Sequence, residues 1–168
     1  MTIGELNSLS EGEAIEQFML CCESSAWAKK MVLHRPYSSK RELIKKGEET
    51  WNHELDSSDW LEAFSAHPKI GDLGSLRKKY ASTKQWAEGE QKGTANAPEE
   101  VLKKLASGNE VYENKFGYIF IVCATGKAAE EMLHILESRL DNAPQKEIAI
   151  AAEEQQKITE IRLEKLLD

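Results

Sequence analysis

The sequence predicts an all-α fold, a single-domain bundle of about eight or nine helices over residues 1–168 with one buried extended connector near 118–124. Three observations carry this. Helix starts are marked by Ser or Thr with Glu three residues later, at Thr2/Glu5, Ser10/Glu13 and Ser39/Glu42, where the two side chains satisfy each other's orphan amides. Apolar residues recur at spacings of three and four along most of the chain, the mark of a helix with one buried face. Against that background one run, Tyr118-Ile119-Phe120-Ile121-Val122-Cys123-Ala124, is apolar and rich in β-branched residues. It suits a strand, yet no second segment pairs with it.

In chain order, Ile15, Phe18, Met19 and Cys22 follow Ser10 at i, i+3, i+4 and i+7 and define a buried face. Short helices are expected over 25–33, 40–53, 58–65 and 74–91. Pro98 suits a first helical position, and Val101, Leu105, Val111, Tyr112 and Phe116 give a stripe that ends at Gly117, a C-cap residue. Gly108 weakens that helix locally. Lys127 to Leu140 aligns Ala129, Met132, Leu133, Leu136 and Leu140 and stops by Asn142; Pro144 opens a last helix to about Leu167. An isolated strand cannot satisfy its own backbone, so 118–124 reads as a connector whose N–H and C=O groups are open to other partners, a ligand among them.

Composition bounds the function. A chain of 168 residues buries roughly 70% of its unfolded surface, enough for a core without disulfides or metal. With 22 Lys+Arg against 29 Asp+Glu and a net charge of -7, the surface as a whole does not suit nucleic acid, leaving room only for a local basic pocket. Three cysteines, two of them adjacent at Cys21 and Cys22, form neither a disulfide framework nor a metal-ligand set, which points to reduced thiols and a cytoplasmic location. The start MTIGELNSLSEGEAIEQ lacks a positively charged region followed by an apolar one, no apolar run approaches membrane-spanning length, and the last residues, KLLD, are not a peroxisomal tripeptide.

Few residues suggest chemistry. His67, in Ala66-His67-Pro68-Lys69-Ile70-Gly71-Asp72, sits on a loop stiffened by Pro68, and an imidazole held there suits acid/base work as well as it suits capping a neighbouring carbonyl. Glu90-Gln91 follows Trp86 near a helix end, where an ordinary solvated face is the plain alternative. In the last helix Ile148, Ala151, Gln155, Ile158 and Arg162 share one stripe, so the Arg162 guanidinium faces apolar surroundings and needs an anion, either an internal carboxylate such as Glu90 or an anionic substrate. His34, His53 and His134 show no ligand spacing; Trp27, Trp51, Trp60 and Trp86 read as core, and Cys123 as an inert buried thiol.

Taken together, Arg35-Pro36-Tyr37, the His67 loop, Glu90-Gln91, Lys115-Phe116-Gly117-Tyr118 through Ala124, Arg139-Leu140-Asp141-Asn142 and Lys157-Ile158 with Arg162-Leu163 resemble the 2-oxo-4-hydroxy-4-carboxy-5-ureidoimidazoline (OHCU) decarboxylase family in order and spacing. The likeness covers nearly the whole chain, and its specificity lies in six pieces in register. It implies an all-helical homodimer without metal or organic cofactor that converts an anionic ureidoimidazoline to (S)-allantoin and CO2 in urate degradation. It also implies His67 and Glu90 as catalytic residues. The substrate contacts it implies are Pro68, Ala87, Gln91, the backbone of Phe120, Ile121, Val122, Cys123 and Ala124, and Arg162 as the anion-binding arginine. The chain departs from the family pattern at Ala87, where many members have serine, and at Tyr118-Ile119, where many have Phe-Pro. Two other readings stand beside this one: a helical protein-interaction module, with these residues scattered on its surface, and another cofactor-free lyase or hydrolase on the same scaffold.

Overall fold

The computed structural model describes residues 1–68 and 99–168, and within them the chain is all-helical, with eight α-helices and no strand. They are α1 (Ile3–Ser8), α2 (Glu11–Cys21), α3 (Ser25–Leu33), α4 (Lys40–His53), α5 (Ser57–Ser65), α6 (Glu99–Phe116), α7 (Ala129–Arg139) and α8 (Pro144–Leu166). The helix expected over 74–91 lies outside the described residues, as does Pro98, while the helix expected to open there is seen as α6 from Glu99.

The starts follow from local chemistry. Thr2 with Glu5 and Ser10 with Glu13 each close a complete capping box. At Ser39 only half forms: its side chain accepts the Glu42 N–H at 3.2 Å, but the Glu42 carboxylate accepts from the N–H and the hydroxyl of Ser38, both at 2.6 Å. Asp56 and Asp59 make a further box at the start of α5, built from aspartates rather than the Ser/Thr and Glu pattern. The buried face of α2 is rotated from the expected one. Ala14, Phe18 and Cys21 are buried, Ile15 and Met19 only half-buried, and Cys22 caps the helix from outside it.

The described chain divides into two compact units, one made of Met1–Ala66 with Gln155–Asp168 and the other of His67–Glu154. In the first, α3 packs against α2, α4 and α5. Trp27 is fully buried, meets Phe18 edge-on at 5.9 Å and donates its indole N–H to the Gly47 carbonyl at 3.1 Å. A Cβ on Gly47 would stand 3.1 Å from a Leu163 methyl and 3.4 Å from the Trp27 ring, so the bare backbone lets α4 lie close to both. Arg35-Pro36-Tyr37 ties the chain start to this core. Arg35 donates to the carbonyls of Leu6 and Leu9 at 3.0 and 2.8 Å, Tyr37 and Asn7 exchange two bonds at 2.8 and 2.9 Å, and the Tyr37 hydroxyl donates to the Met31 carbonyl at 2.6 Å.

In the second unit α6 packs on α7, and Gly108 marks where they come closest: a Cβ there would lie 2.6 Å from a Leu136 methyl. What reads as a weak helical position is a packing requirement. Leu105 and Tyr112 are buried on α6, whereas Val111 is 54% exposed and leaves the expected stripe. Gly117, at φ 84°, ends α6 with its N–H on the Glu113 carbonyl at 2.8 Å, a left-handed terminus that glycine adopts without strain.

The centre of this unit is ionic. Arg139, at the end of α7, and Glu147, in the first turn of α8, are 5% and 0% exposed. Arg139 reaches one Glu147 oxygen with Nε at 2.6 Å and Nη2 at 2.5 Å; that oxygen also accepts from the Tyr112 hydroxyl at 2.5 Å, and the other accepts from Asn142 at 2.9 Å. Burial, reinforced by the bond to Glu147, raises the Tyr112 hydroxyl well above its ordinary pKa, so it stays protonated and donates. Removing one partner of such a pair strands a buried charge. Glu147→Leu is therefore expected to lose about 3–5 kcal/mol in urea unfolding, and adding Arg139→Met to recover much of it; a single variant as stable as the parent would show the pair to be energetically idle.

Candidate functional site

The connector 118–124 is neither helix nor strand; Tyr118 and Ile119 are half-buried, and Phe120, Ile121, Val122, Cys123 and Ala124 are between 1% and 6% exposed. Its side chains alternate. Phe120, Val122 and Ala124 join Leu105, Tyr112, Ala129, Met132 and Leu136 in one apolar cluster, the period-two pattern of an extended chain. Gly126, at φ 76°, then turns the chain, with the Lys127 N–H on the Ala124 carbonyl at 3.0 Å.

Charged side chains hold the peptide groups that a neighbouring strand would otherwise hold. Arg139 donates to the Ile121 carbonyl at 2.6 Å and lies 4.6 Å from the centre of the Phe120 ring, within cation–π range. The Cys123 N–H donates to Glu154 at 2.8 Å, and Lys127 donates to the Cys123 carbonyl at 2.9 Å. The N–H and C=O of Val122 make no hydrogen bond among the described residues. A buried peptide group without a partner is costly, which makes this the position where a ligand or water has most to offer.

His67 is half-buried just after α5, and Pro68 is buried. Ala87, Glu90 and Gln91 lie outside the described residues. Arg162 is 6% exposed on α8 in the first unit, on the stripe that also buries Ala151, Gln155 and Ile158, as helical spacing requires. Its positive charge acts on the thiols of Cys21 and Cys22, but burial dominates there: Cys22 is pushed up to about 12 and Cys21 higher still. Both therefore stay protonated and inert, as desolvated thiols do. All three cysteines are free and buried.

The remaining candidates are structural in character. Trp27 and Trp51 are core residues and Trp60 stacks on Trp51 at 6.0 Å, while Trp86 lies outside the described residues. His34 pairs with Glu54 at 3.1 Å, and His53 and His134 are exposed. Among the described residues no cluster of His, Cys, Asp and Glu is arranged to hold a metal ion, and no helix is long and apolar enough to cross a membrane. Sequence reasoning passed over the roles of Arg139, Glu147, Glu154 and Lys127. The one signal for Arg139 was the motif Arg139-Leu140-Asp141-Asn142, in which Arg139 and Asn142 both meet Glu147.

These features define an all-α protein with a buried irregular segment, held by charged side chains at Ile121 and Cys123 while the Val122 peptide groups make no hydrogen bond among the described residues, an arrangement suited to a small polar ligand. Residues 7–164 match the model of the OHCU decarboxylase family. The chain is 40% identical over 151 residues to the uric acid degradation bifunctional protein TTL of Arabidopsis thaliana, covering 90% of this chain and 46% of that protein; it thus spans about half that relative's length. It is 26% identical over 167 residues to the 2-oxo-4-hydroxy-4-carboxy-5-ureidoimidazoline decarboxylase of Haloferax volcanii, covering 97% of this chain and 94% of that one. A crystal structure of OHCU decarboxylase in the presence of (S)-allantoin superposes with a TM-score of 0.77 at 39% identity, covering 90% of this chain and 97% of the other. The chain belongs to the OHCU decarboxylase family.

Proposed function

We propose that this chain catalyses the cofactor-independent decarboxylation of OHCU to (S)-allantoin and CO2 in urate degradation, with residues 1–168 acting as one OHCU decarboxylase-like domain. Family membership supports the reaction, and the observation that carries the reading is the buried Val122 peptide, without a hydrogen bond among the described residues on a connector held at Ile121 and Cys123. In this reading the backbone of Phe120 through Ala124 contacts the substrate, with Pro68, Ala87 and Gln91 as further contacts and Arg162 binding the substrate anion.

The chemistry needs no external electron sink. The substrate carboxylate sits on a carbon next to a ring C=N. When the bond to CO2 breaks, its electron pair forms a new carbon–carbon double bond and the imine pair moves to nitrogen, which takes a proton. Protonation of the ureido-bearing carbon, with loss of the hydroxyl proton as that oxygen becomes a carbonyl, gives allantoin. The protein's task is to hold the anion, accept the moving charge and deliver a proton to one face. His67, oriented by Glu90, is assigned the hydroxyl or carboxylate and the proton, the two sharing the role as a pair.

We further propose that the chain works as a homodimer in the cytoplasm, the location its three free thiols suit. Sedimentation at micromolar concentration is expected to give a dimer, and a monomer there would exclude it; cell fractionation checks the location.

Allantoin formation from freshly generated OHCU, followed by circular dichroism, tests the reaction, and a folded chain without turnover would refute it. On the same assay His67→Ala is expected to lose at least about a hundredfold in kcat with little change in melting temperature; turnover at the parental rate would remove His67 from the mechanism. Arg162→Lys keeps the charge but not the two-pronged donor geometry, so KM should rise clearly while the melting temperature holds. The reverse pattern, a less stable protein with parental KM, would make Arg162 a structural ion-pair residue.

A further inference from the structure

A trans peptide unit is planar, and its C=O and N–H point in opposite directions. Holding one therefore aims the other. The Cys123 N–H, fixed on Glu154 at 2.8 Å, shares its plane with the Val122 carbonyl and turns that carbonyl the opposite way. Arg139 on the Ile121 carbonyl at 2.6 Å aims the Val122 N–H in the same manner. Lys127 on the Cys123 carbonyl at 2.9 Å aims the Ala124 N–H. The three groups so aimed make no hydrogen bond among the described residues, and Phe120, Val122 and Ala124 share an apolar cluster that Ile121 and Cys123 do not join, the period-two pattern of an extended chain.

Arg139 also neutralises Glu147 in the core, which accounts for its presence. Lys127 and Glu154 are half-buried and outside that pair, and they hold the C=O and the N–H of a single residue, Cys123. We propose that Lys127 and Glu154 are positioning residues for the decarboxylation: they fix the peptide planes on either side of Cys123, so that the Val122 carbonyl and the Ala124 N–H meet the substrate in one orientation. This rests on the reading that the connector contacts the substrate. Neither residue need touch the reacting atoms.

The test compares pairs of variants in the full chain. Glu154→Leu and Lys127→Met remove the acceptor and the donor; Glu154→Gln and Lys127→Arg retain them. The readouts are melting temperature, KM and kcat for OHCU, and the amide 1H–15N shifts of Val122 and Ala124 on addition of (S)-allantoin. Glu154→Leu and Lys127→Met are expected to lower kcat/KM by about tenfold or more at temperatures where they are fully folded, the scale on which small misplacements act. Glu154→Gln and Lys127→Arg should stay within about threefold of the parent, because the hydrogen bond survives. If all four variants keep parental KM and kcat while allantoin still shifts the parent's Val122 and Ala124 amides, the residues only brace the fold and the proposal falls while the connector reading stands. If allantoin leaves those amides unmoved in the parent, the connector is not the ligand site and both fall together.

Discussion

The second unit depends on a guanidinium in a place where charge is expensive. Arg139 is buried because four groups need it at once: the Glu147 carboxylate, the Ile121 carbonyl, the Tyr112 hydroxyl at 3.4 Å and the face of Phe120. A purely apolar residue there would pack as densely and avoid the desolvation cost, and such replacements are often neutral or stabilising. It would also leave the Ile121 carbonyl without a donor in a segment that pairs with no strand among the described residues. The charge is thus tied to the irregular backbone. Because Glu147 lies in the first turn of α8, it adds a favourable interaction with the helix N-terminus and anchors α8 to the end of α7.

Helices were legible because their signals are local. The caps at Thr2 and Ser10, Gly117 as a stop and the Pro144 opening all depend on residues within one turn of the boundary. Errors came where a neighbour decided the outcome. Ser38 diverted the carboxylate of Glu42 from Ser39, the face of α2 was set by what Phe18 packs against, and Gly108 was set by Leu136 on another helix. Periodicity also placed Val111 inside, but the apolar cluster of this unit closes around Leu105 and Tyr112 without it.

The connector was legible as an anomaly. Its composition contradicted the helical background, and the missing partner strand implied a backbone satisfied by something else. What could not be read was which side chains would satisfy it, since Arg139, Glu154 and Lys127 stand 18, 31 and 4 residues from the groups they hold and look like solvated charges in a linear chain. Arg162 was different, because its stripe is helical and helical spacing is computable from sequence. The burial of Arg162 follows from that stripe, while its role toward substrate is drawn from the family motif. Glu90, Gln91 and Ala87 rest on motif register in the same way.

A cofactor-free decarboxylation shifts the demand from chemical novelty to placement. Where a substrate carries its own electron sink, a protein gains most by fixing donors and acceptors before the substrate arrives, because groups that need not reorganise stabilise developing charge without further cost. Main-chain N–H and C=O groups are well suited to this, being aimed by planes rather than by rotatable side chains. They are rarely available, since helices and sheets consume them. An extended segment inside an all-helical protein supplies them, on the condition that its other edge is held. Arg139, Lys127 and Glu154 meet that condition with charged groups, whose hydrogen bonds are stronger than those between neutral partners. The cost is a core that carries ions; the return is a peptide edge with a fixed direction in a buried place.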